Sequence, residues 1–502
     1  MSFNLAAMLV EATRAQPLSP VLWAGDDRWD YQRLDTDSIR FANGLLESGC
    51  SRGDVVAIQS PNVPEFLVAY FGTLRAGMVL LPLNPLLTAT ETAFLLNDAR
   101  AVVLFAHELA VGAVLGAKEA GIPLVTIPAG IRHGGDDARL FSDFLSDHDH
   151  GGADVAATAP EDTAVLLYTS GTTGKPKGAE LTHFQLFMNC TASADVFEAK
   201  QDDVILLALP LFHVFGLSSL ANSAIRRGAS LALVPRFEAS AVLDVIERRR
   251  VSIVAGVPTM LHALLETPGR DRDLSSMRMA LSGGSPIAPD VVTRFEERFA
   301  IPVLEGYGLT ETASAVTFNR AAGRKPMSVG RPLWGTEMRV VDSDGNQLAP
   351  GADHVGELLV RGHSVMKGYL RRPAETAEVI QDGWFRTGDL GYVDDDGYYF
   401  VVDRIKDLII RGGYNVYPRE IEDVLYGHPD IREAAVIGSP DDRLGEEVVA
   451  VVALRDGSEI SAEDVIGYCR QRLAAYKYLR VVRFVETLPK GPTNKILKSR
   501  LR

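Results

Sequence analysis

Short apolar runs alternate with helical patterns along most of this chain, and the alternation limits the folds that it can adopt. From residue 163 onward, apolar runs such as 204–209, 253–257 and 279–281 are separated by segments with helical spacing, such as Pro289–Phe299. Short buried strands that alternate with helices build parallel sheets covered by helices. The pattern therefore predicts a layered α/β fold.

The N-terminal part shows the same alternation and carries no obvious chemistry. Its pattern predicts strands over residues 55–58 and 79–82, with a helix over residues 64–74 between them. With 502 residues, the chain is too long for one hydrophobic core, so we expect at least two domains. The best boundary lies at residues 403–406, where a β-rich segment ends and a compact α/β stretch begins.

The composition argues against several classes of protein. The formal net charge of −14 disfavours general attraction to nucleic acid or to an anionic membrane surface. The chain has neither a long uncharged apolar run nor a signal-peptide pattern over residues 1–20, so we expect a cytoplasmic protein without an integral membrane segment. Its three cysteines, Cys50, Cys190 and Cys469, match neither a disulfide framework nor metal-ligand spacing.

Two polar stretches resemble metal sites only superficially. Residues 148–152 hold two histidines, but histidines in a polar, flexible segment are more often solvated than ligating, so we interpret the stretch as a linker. Residues 394–397 lack the later ligands of a calcium loop. We interpret them as the tight turn of a hairpin between strands around Tyr392 and over residues 398–402.

The segment 168–178 says most about function. It interleaves hydroxyls, glycines and lysines, and it follows an apolar run over residues 163–167 that predicts a short buried strand. Glycines let the backbone approach an anion, while hydroxyls and N–H groups donate to phosphate oxygens. It is not a Walker A loop, because Pro176 follows Lys175 where that pattern requires Ser or Thr. A mobile Gly/Thr surface loop is the alternative that this segment alone leaves open.

Further motifs follow this loop in the order of a known superfamily. They occupy residues 210–216, 282–286, 305–312, 383–389, 403–410, 412–418 and 488–498. On these motifs the chain resembles the acyl-adenylate-forming superfamily, which includes acyl-CoA synthetases, aryl-CoA ligases, luciferases and the adenylation domains of peptide synthetases. The resemblance extends from Tyr168 to the C-terminus.

The resemblance implies an α/β protein with two unequal domains. A large AMP-binding domain over residues 1–402 would contain several layered α/β subdomains and a β-rich one. A hinge over residues 403–406 would connect it to a small, mobile α+β lid over residues 407–502. The lid is expected to rotate about Lys406 between the two steps of the reaction.

The resemblance also implies the activity, which is that of an ATP-dependent acyl-CoA synthetase. A carboxylic acid would attack the α-phosphate of ATP to give acyl-AMP and pyrophosphate, and the thiol of CoA would then displace AMP. ATP, Mg²⁺, CoA and the acid are the expected small-molecule partners. We expect a monomer or a homodimer.

By resemblance, the nucleotide site draws on several motifs. The residues expected at the β- and γ-phosphates are Thr169, Ser170, Gly171, Thr172, Thr173, Gly174, Lys175 and Lys177. The other expected ATP- or AMP-binding residues are Gly284, Ser285, Glu305, Gly306, Tyr307, Asp389 and Arg404. Tyr307 is a candidate to stack on adenine, and Asp389 can accept hydrogen bonds from both ribose hydroxyls.

Four residues are expected to be catalytic. The hydroxyl of Thr310 can hold the α-phosphate and Glu311 can coordinate Mg²⁺, although a Thr-Glu pair near a helix start has an ordinary structural explanation too. By resemblance, Lys495 bridges the carboxylate and the α-phosphate. His213 lies in an apolar setting that usually marks a core residue, but by resemblance it lines the carboxylate pocket and gates pantetheine.

The C-terminal motif departs from the family pattern at two positions. The usual wording is Thr-Gly-Lys, whereas this chain has Thr493, Asn494 and Lys495, and Leu479 stands where a proline commonly follows the Tyr-Lys pair. Asn tolerates positive φ better than most residues. The turn can therefore survive, while the efficiency of the first step is put in question.

The resemblance also assigns the acyl and CoA contacts. The expected acyl-pocket residues are Phe212, Val214, Phe215, Val257, Met260, Gly308 and Leu309. They are nearly all apolar, which favours a fatty, aryl or polycyclic acid. Malonate would need a buried cation and an amino acid an acidic anchor, and neither is found at Gly306 or over residues 211–220.

For CoA, the resemblance points to Gly412, Gly413 and Tyr414, which would admit its pantetheine. A Gly-Gly turn between a strand and a helix is the ordinary structural interpretation of the same residues.

Two other functions stay open. The first is an adenylating enzyme that loads a carrier protein or catalyses only one half-reaction. The second is a nucleotide-binding pseudoenzyme, against which the intact Glu311, Asp389, Arg404 and Lys495 argue.

Overall fold

A large N-terminal α/β domain and a small C-terminal α+β domain make up the protein. The computed structural model describes residues 3–128, 139–148, 154–169, 176–268, 272–441, 443–491 and 494–502. In these ranges, every helix is too short or too polar to span a lipid bilayer. We call the C-terminal domain, which follows the strand ending at Arg404, the lid.

Helices occupy both domains. In the large domain they are α1 Ala7–Ala15, α2 Tyr31–Glu47, α3 Pro64–Arg75, α4 Ala89–Ala99, α5 Ala113–Ala120, α6 Phe141–Ser146, α7 His183–Val196, α8 Ser223–Arg227, α9 Ala239–Arg249, α10 Pro258–Glu266, α11 Pro289–Phe299 and α12 Pro373–Val379. The lid contains α13 Pro418–Tyr426 and α14 Ala462–Arg470. A π-helical segment spans Phe215–Asn222, and single 3₁₀ turns span Thr310–Thr312, Ile405–Asp407 and Lys498–Arg500.

The strands form separate sheets in the two domains. In the large domain they are β1 Pro20–Ala24, β2 Asp27–Asp30, β3 Val55–Gln59, β4 Val79–Leu83, β5 Ala101–His107, β6 Leu124–Ile127, β7 Arg139–Leu140, β8 Thr163–Thr169, β9 Lys177–Thr182, β10 Val204–Leu207, β11 Ser230–Leu233, β12 Ile253–Gly256, β13 Met279–Ser282, β14 Val303–Leu309, β15 Ser314–Phe318, β16 Arg331–Pro332, β17 Thr336–Val341, β18 Gly356–Gly362, β19 Gly368–Tyr369, β20 Ile380–Gln381, β21 Trp384–Val393 and β22 Tyr399–Arg404. In the lid they are β23 Ile409–Arg411, β24 Tyr414–Val416, β25 Ile431–Asp441, β26 Gly445–Leu454 and β27 Val481–Phe484.

Two mixed sheets with parallel centres organise the large domain. Within the described ranges, one sheet has the order β16-β15-β14-β13-β12-β10-β11-β1-β2 and the other has the order β19-β9-β8-β4-β3-β5-β6-β7. The strands from β10 to β14 run parallel, so their carboxyl ends meet at one edge. In parallel α/β sheets this edge is where ligands bind.

A third, antiparallel sheet links the large domain to the lid. It has the order β17-β18-β21-β20, and β22 pairs with the other side of β21. Asp389 on β21 is paired in register with Arg404 at the end of β22. The last residue before the lid is therefore tied to a buried residue of the large domain.

The helix pattern and most strand patterns were predicted well. The predicted helix over Pro289–Phe299 has these bounds in the structure, and the strand before the glycine-rich loop is β8. The predicted hairpin around residues 394–397 is confirmed by the antiparallel pairing of β21 with β22. The layered α/β prediction is likewise confirmed.

Two local interpretations were wrong. His148 is buried and not solvated, because its Nδ1 lies 2.8 Å from Glu47 Oε2 and its ring packs against Phe144, while residues 149–152 lie outside the described ranges. The glycines Gly412 and Gly413 connect β23 to β24 and do not lead into a helix. Both have positive φ, 58° and 84°, as a two-residue hairpin turn requires.

Aromatic packing anchors the outer part of the large domain. The ring of Phe41 on α2 is fully buried, with its centroid 4.6 Å from that of Phe105, 5.6 Å from that of Phe141 and 5.5 Å from that of Phe144. These rings join α2, β5 and α6 into one layer. The layer supports the sheet that carries β8.

We predict that Phe41→Ala lowers the free energy of unfolding of the large domain by about 3–5 kcal/mol, because it opens a cavity among three rings. Urea unfolding followed by tryptophan fluorescence measures the change. Leu18→Ala is the control, since this leucine is 69% exposed and its removal should change stability by less than about 0.5 kcal/mol. Equal effects of the two substitutions on the free energy of unfolding would contradict the role of Phe41 in packing this layer.

Candidate active site

A cleft of about 620 Å³ lies between the large domain and the lid. The large domain contributes Gly284, Ser285, Tyr307 and Asp389 to its lining, and the lid reaches it with Lys495. The glycine and serine follow β13, and Tyr307 lies on β14. The carboxyl edge of the parallel sheet therefore forms one wall of the cleft.

Gly284 allows Lys495 to enter the cleft. It has a φ of +82°, and a Cβ at this position would lie 2.9 Å from Cε and 3.1 Å from Nζ of Lys495. Val257 lies between β12 and α10, and its Cγ1 is 3.6 Å from the same Cβ position. A side chain at residue 284 would displace the lysine.

Asp389, Tyr307 and Arg404 form a hydrogen-bonded group in the lining of the same cleft. The Tyr307 hydroxyl donates to Asp389 Oδ2 over 2.6 Å, and Arg404 Nε lies 3.0 Å from Oδ1 of the same buried carboxylate. Burial and the charge of Asp389 raise the pKa of Tyr307 well above 10, so the phenol stays protonated. The sequence motifs were predicted to meet here, and the structure brings all three residues together.

Glu311 lies beside hydroxyl groups. Its Oε1 accepts hydrogen bonds from Thr169 Oγ1 over 3.3 Å and from the Tyr369 hydroxyl over 3.0 Å. The buried Lys177 places its Nζ 5.3 Å from the centre of the Tyr369 ring. The sequence analysis missed Tyr369, since nothing in its local pattern marks it. The rest of the predicted phosphate loop, Ser170, Gly171, Thr172, Thr173, Gly174 and Lys175, lies outside the described residues.

The side chain of Lys495 is partly buried, and its environment weakens its hold on the proton. Burial, together with the charge of Arg404, lowers the pKa of Lys495 to about 8, although Asp389 acts in the opposite direction. His213 is close enough to feel this charge. Burial and Lys495 lower the pKa of His213 to about 3, so its imidazole is neutral at pH 7.

Asn494 adopts the backbone conformation that the usual glycine would adopt. Its φ is 59°, in the left-handed region that Asn tolerates, and its carbonyl accepts a hydrogen bond from Thr259 Oγ1 over 2.9 Å. The second departure, Leu479, is a fully buried residue of the lid core. Both departures are thus compatible with the fold of the lid.

Glu305 and the glycine after it line the same cleft. Burial raises the pKa of Glu305 to about 7, against the lowering influence of Arg419 on the lid. Thr310 follows β14 directly, on the single turn that also carries Glu311. Residues 305–308 of β14 thus line the cleft, and the turn with Thr310 and Glu311 follows them directly.

The predicted acyl residues pack at the base of this region. A Cβ on Gly283 would lie 2.9 Å from Cε1 of Phe215, so this ring lies against the loop after β13. Gly308 lines the cleft. The side chains of Val214 and Met260 are buried in the core of the large domain, and Phe212 and Leu309 pack against that core.

The residues predicted to contact CoA lie apart from the cleft lining. Gly412, Gly413 and Tyr414 form the β23–β24 hairpin, where Tyr414 is 58% exposed and its ring lies 4.9 Å from that of Tyr476. Lys406, the predicted pivot, borders the cleft and also a second cavity of about 400 Å³ on the lid. The lid of this structure thus presents Lys495, and not the hairpin, to the large domain.

Comparison with known proteins identifies the family. The model of the family "AMP-binding enzyme" matches residues 9–370, and that of the "AMP-binding enzyme C-terminal domain" matches residues 420–495. The geometry defines a two-domain α/β enzyme with a nucleotide-sized cleft under its small domain. The chain belongs to the family of AMP-binding enzymes.

Similar proteins cover nearly the whole chain. A feruloyl-CoA synthase from an Amycolatopsis species is 39% identical over 99% of this chain and 98% of its own length. A long-chain-fatty-acid–CoA ligase from Bacillus subtilis is 35% identical over 99% of this chain and 94% of its own. The crystal structure of ATP-bound MatB from Rhodopseudomonas palustris superposes with a TM-score of 0.92 at 34% identity, covering 100% of this chain and 98% of that one.

We predict that Asn494→Gly keeps the rate of pyrophosphate release within about twofold, because glycine adopts positive φ freely. Asn494→Val should lower that rate by at least about fivefold, since a β-branched residue at positive φ costs about 1–3 kcal/mol in the turn before Lys495. Single-turnover pyrophosphate release measures both variants. A valine variant as fast as the glycine variant would show that the turn does not position the lysine.

Proposed function

We propose that this protein is an AMP-forming acid–CoA ligase that activates a hydrophobic carboxylic acid through acyl-AMP. The observation that carries the proposal is the placement of Lys495. The lid inserts this lysine into the cleft that also holds Tyr307, Asp389 and Glu305. A cation and a hydrogen-bonded carboxylate facing one nucleotide-sized space suit an adenylate.

The substrate we propose is an aryl or fatty acid. The candidate acyl residues near the cleft are apolar, with the Phe215 ring against Gly283. The similar proteins described above are named for ferulate and for long-chain fatty acids. An apolar pocket favours the hydrophobic part of such acids over a second carboxylate.

In the first step, negative charge develops on phosphoryl oxygens and has to be met by positioned cations and donors. We assign the α-phosphate to Lys495 and Thr310, and the ribose hydroxyls to Asp389, which Tyr307 and Arg404 hold in place. Because the imidazole of His213 is neutral, the positive charge beside it comes from Lys495. Lys177 and the loop before it would hold the departing pyrophosphate.

The residues around Glu311 fit a magnesium ion that is bound mainly through phosphates. One carboxylate and neighbouring hydroxyls are a hard oxygen donor set, and Mg²⁺ in nucleotide sites usually takes only one or two carboxylates from the protein. We propose Glu311 as the residue that holds it. The ion, when bound, would offset charge on the phosphate oxygens.

For the second step we propose that the lid turns about Lys406, so that Gly412, Gly413 and Tyr414 replace Lys495 at the cleft. These residues lie on an exposed hairpin with a two-residue turn, so a rotation of the lid could bring them to the cleft. Domain limits at residues 402 and 407, a cytoplasmic location and a monomeric or homodimeric state remain part of this proposal.

We predict that the purified protein, given ATP, Mg²⁺, CoA and a panel of aryl and fatty acids, releases pyrophosphate and forms acyl-CoA for at least one apolar acid. Lys495→Ala should lower the first step by on the order of 10²–10³-fold, because it removes the cation at the α-phosphate. A pyrophosphate assay and mass spectrometry measure the products. Pyrophosphate without acyl-CoA would support a carrier-loading or half-reaction enzyme, and tight ATP binding without pyrophosphate would support a pseudoenzyme.

The depressed pKa of Lys495 predicts a pH dependence. An amine with a pKa of about 8 in the free enzyme loses its proton as pH rises through 8, so kcat/KM for ATP in the first step should fall above that pH. The decline should approach about tenfold per pH unit. Lys495→Arg is the comparison, because a guanidinium stays charged there. The arginine variant can be slower overall. If its kcat/KM for ATP still declines at the same pH, a group other than Lys495 causes the decline.

A further inference from the structure

One face of α10 is aimed at the lid. Thr259, His262 and Glu266 are spaced three and four residues apart, which places them on one side of a helix. Thr259 and His262 also line the cleft. The other side, with Leu261 and Leu264, is buried in the core of the large domain. The helix is therefore fixed to the large domain, while its polar side faces the lid.

Both ends of this face contact the lid. At the first turn, Thr259 Oγ1 donates to the carbonyl of Asn494 over 2.9 Å, next to Lys495. At the last residue, Glu266 Oε2 accepts a hydrogen bond from Arg455 Nη1 over 2.8 Å. The two contacts are about 10 Å apart along the helix, as seven residues of rise require. Two separated contacts fix an orientation, which one contact cannot do.

The carboxylate of Glu266 is held in place from the large domain. Arg294 on α11 donates from Nη2 to Glu266 Oε1 over 2.6 Å, while its Nη1 bonds Asp290 Oδ2 over 3.3 Å. Each oxygen of Glu266 thus has its own arginine, one from each domain. Burial raises the pKa of this carboxylate, but the Arg294 hydrogen bond and the two arginine charges outweigh burial and lower it. It is therefore charged at neutral pH.

We propose that this face of α10 is the docking surface of the lid, and that the Glu266–Arg455 pair is a positioning contact for the adenylate-forming orientation. The inference rests on the proposed function and adds to it a residue pair that regulates the same site. A contact that exists in only one orientation shifts the population toward that orientation. Because Arg455 must leave Glu266 before the lid can turn, the pair favours the first step and delays the second.

The size of the effect follows from exposure. The side chains of Glu266 and Arg455 are 35% and 27% exposed, so water screens the pair and the shift in population is modest. We expect about a three- to fivefold change, and not the loss of activity that follows removal of a catalytic group. A modest slowing of the first step without slowing of the second is the signature of a positioning contact.

The experiment measures the two half-reactions separately in Glu266→Gln and Arg455→Gln. Single-turnover pyrophosphate release reports the first, and CoA-dependent consumption of purified acyl-AMP reports the second. We expect the first to slow by about three- to fivefold and the second to stay equal or become faster. The double variant should be no slower than either single one, because both remove the same contact.

The matched control is Glu337→Gln. This glutamate on β17 pairs over 2.6 Å with Arg361 on the neighbouring strand β18, and the two side chains are 61% and 41% exposed. The control should match the wild type in both half-reactions. Thermal unfolding should give all variants the Tm of the wild type within a few degrees, which separates positioning from damage to the fold.

The outcomes are distinct. Equal slowing of both half-reactions, an effect of the control as large as that of Glu266→Gln, or additive losses in the double variant would each overturn the docking proposal. A wild-type protein that forms neither acyl-AMP nor acyl-CoA would overturn the proposed function first. Active wild-type enzyme with unaffected variants would overturn only the docking proposal.

Discussion

The partial burial of one lysine ammonium is the constraint on which the geometry of the cleft depends. Lys495 comes from the lid but lies among groups of the large domain, against the backbone of Gly284. A charge removed from water is unfavourable unless an opposite charge faces it, and its lowered pKa reflects that penalty. Anionic substrates relieve the penalty. If the lid moves as proposed, substrate binding and its closure are therefore energetically linked.

Part of the cleft lining is held in a fixed arrangement before any ligand binds. Asp389 is already engaged by Tyr307 and Arg404, so its orientation does not have to be established when a ligand arrives. Arg404 ends the last strand of the large domain and precedes the predicted pivot at Lys406. A residue proposed to order the nucleotide site thus lies next to the point from which the lid is proposed to turn. This placement connects the occupancy of the site to the position of the lid without a long pathway.

The sequence predicted Glu311 and Tyr307 through the resemblance to a superfamily and not through their local pattern, since a Thr-Glu pair near a helix start has an ordinary structural explanation. Their place at or after the end of β14 agrees with the rule that ligands bind at the carboxyl edge of a parallel sheet. Tyr369 could not be predicted, because its contact with Glu311 joins residues 58 positions apart with no shared periodicity. Glu266 and Arg455 are 189 positions apart and belong to different domains. His148 was misjudged for the same reason, since its partner Glu47 lies on a distant helix.

Asn494 shows how a departure from a family pattern can be judged on physical grounds. The position needs positive φ, which favours glycine, and the structure places Asn494 at 59°. Asn reaches this region at lower cost than most residues, and here its carbonyl also accepts a hydrogen bond from Thr259. The backbone carbonyl, and not the side chain, makes the contact that registers the lid on α10. A change of side chain that preserves the backbone conformation therefore leaves the contact intact, and the altered motif gives no physical reason to assign the protein to the pseudoenzymes.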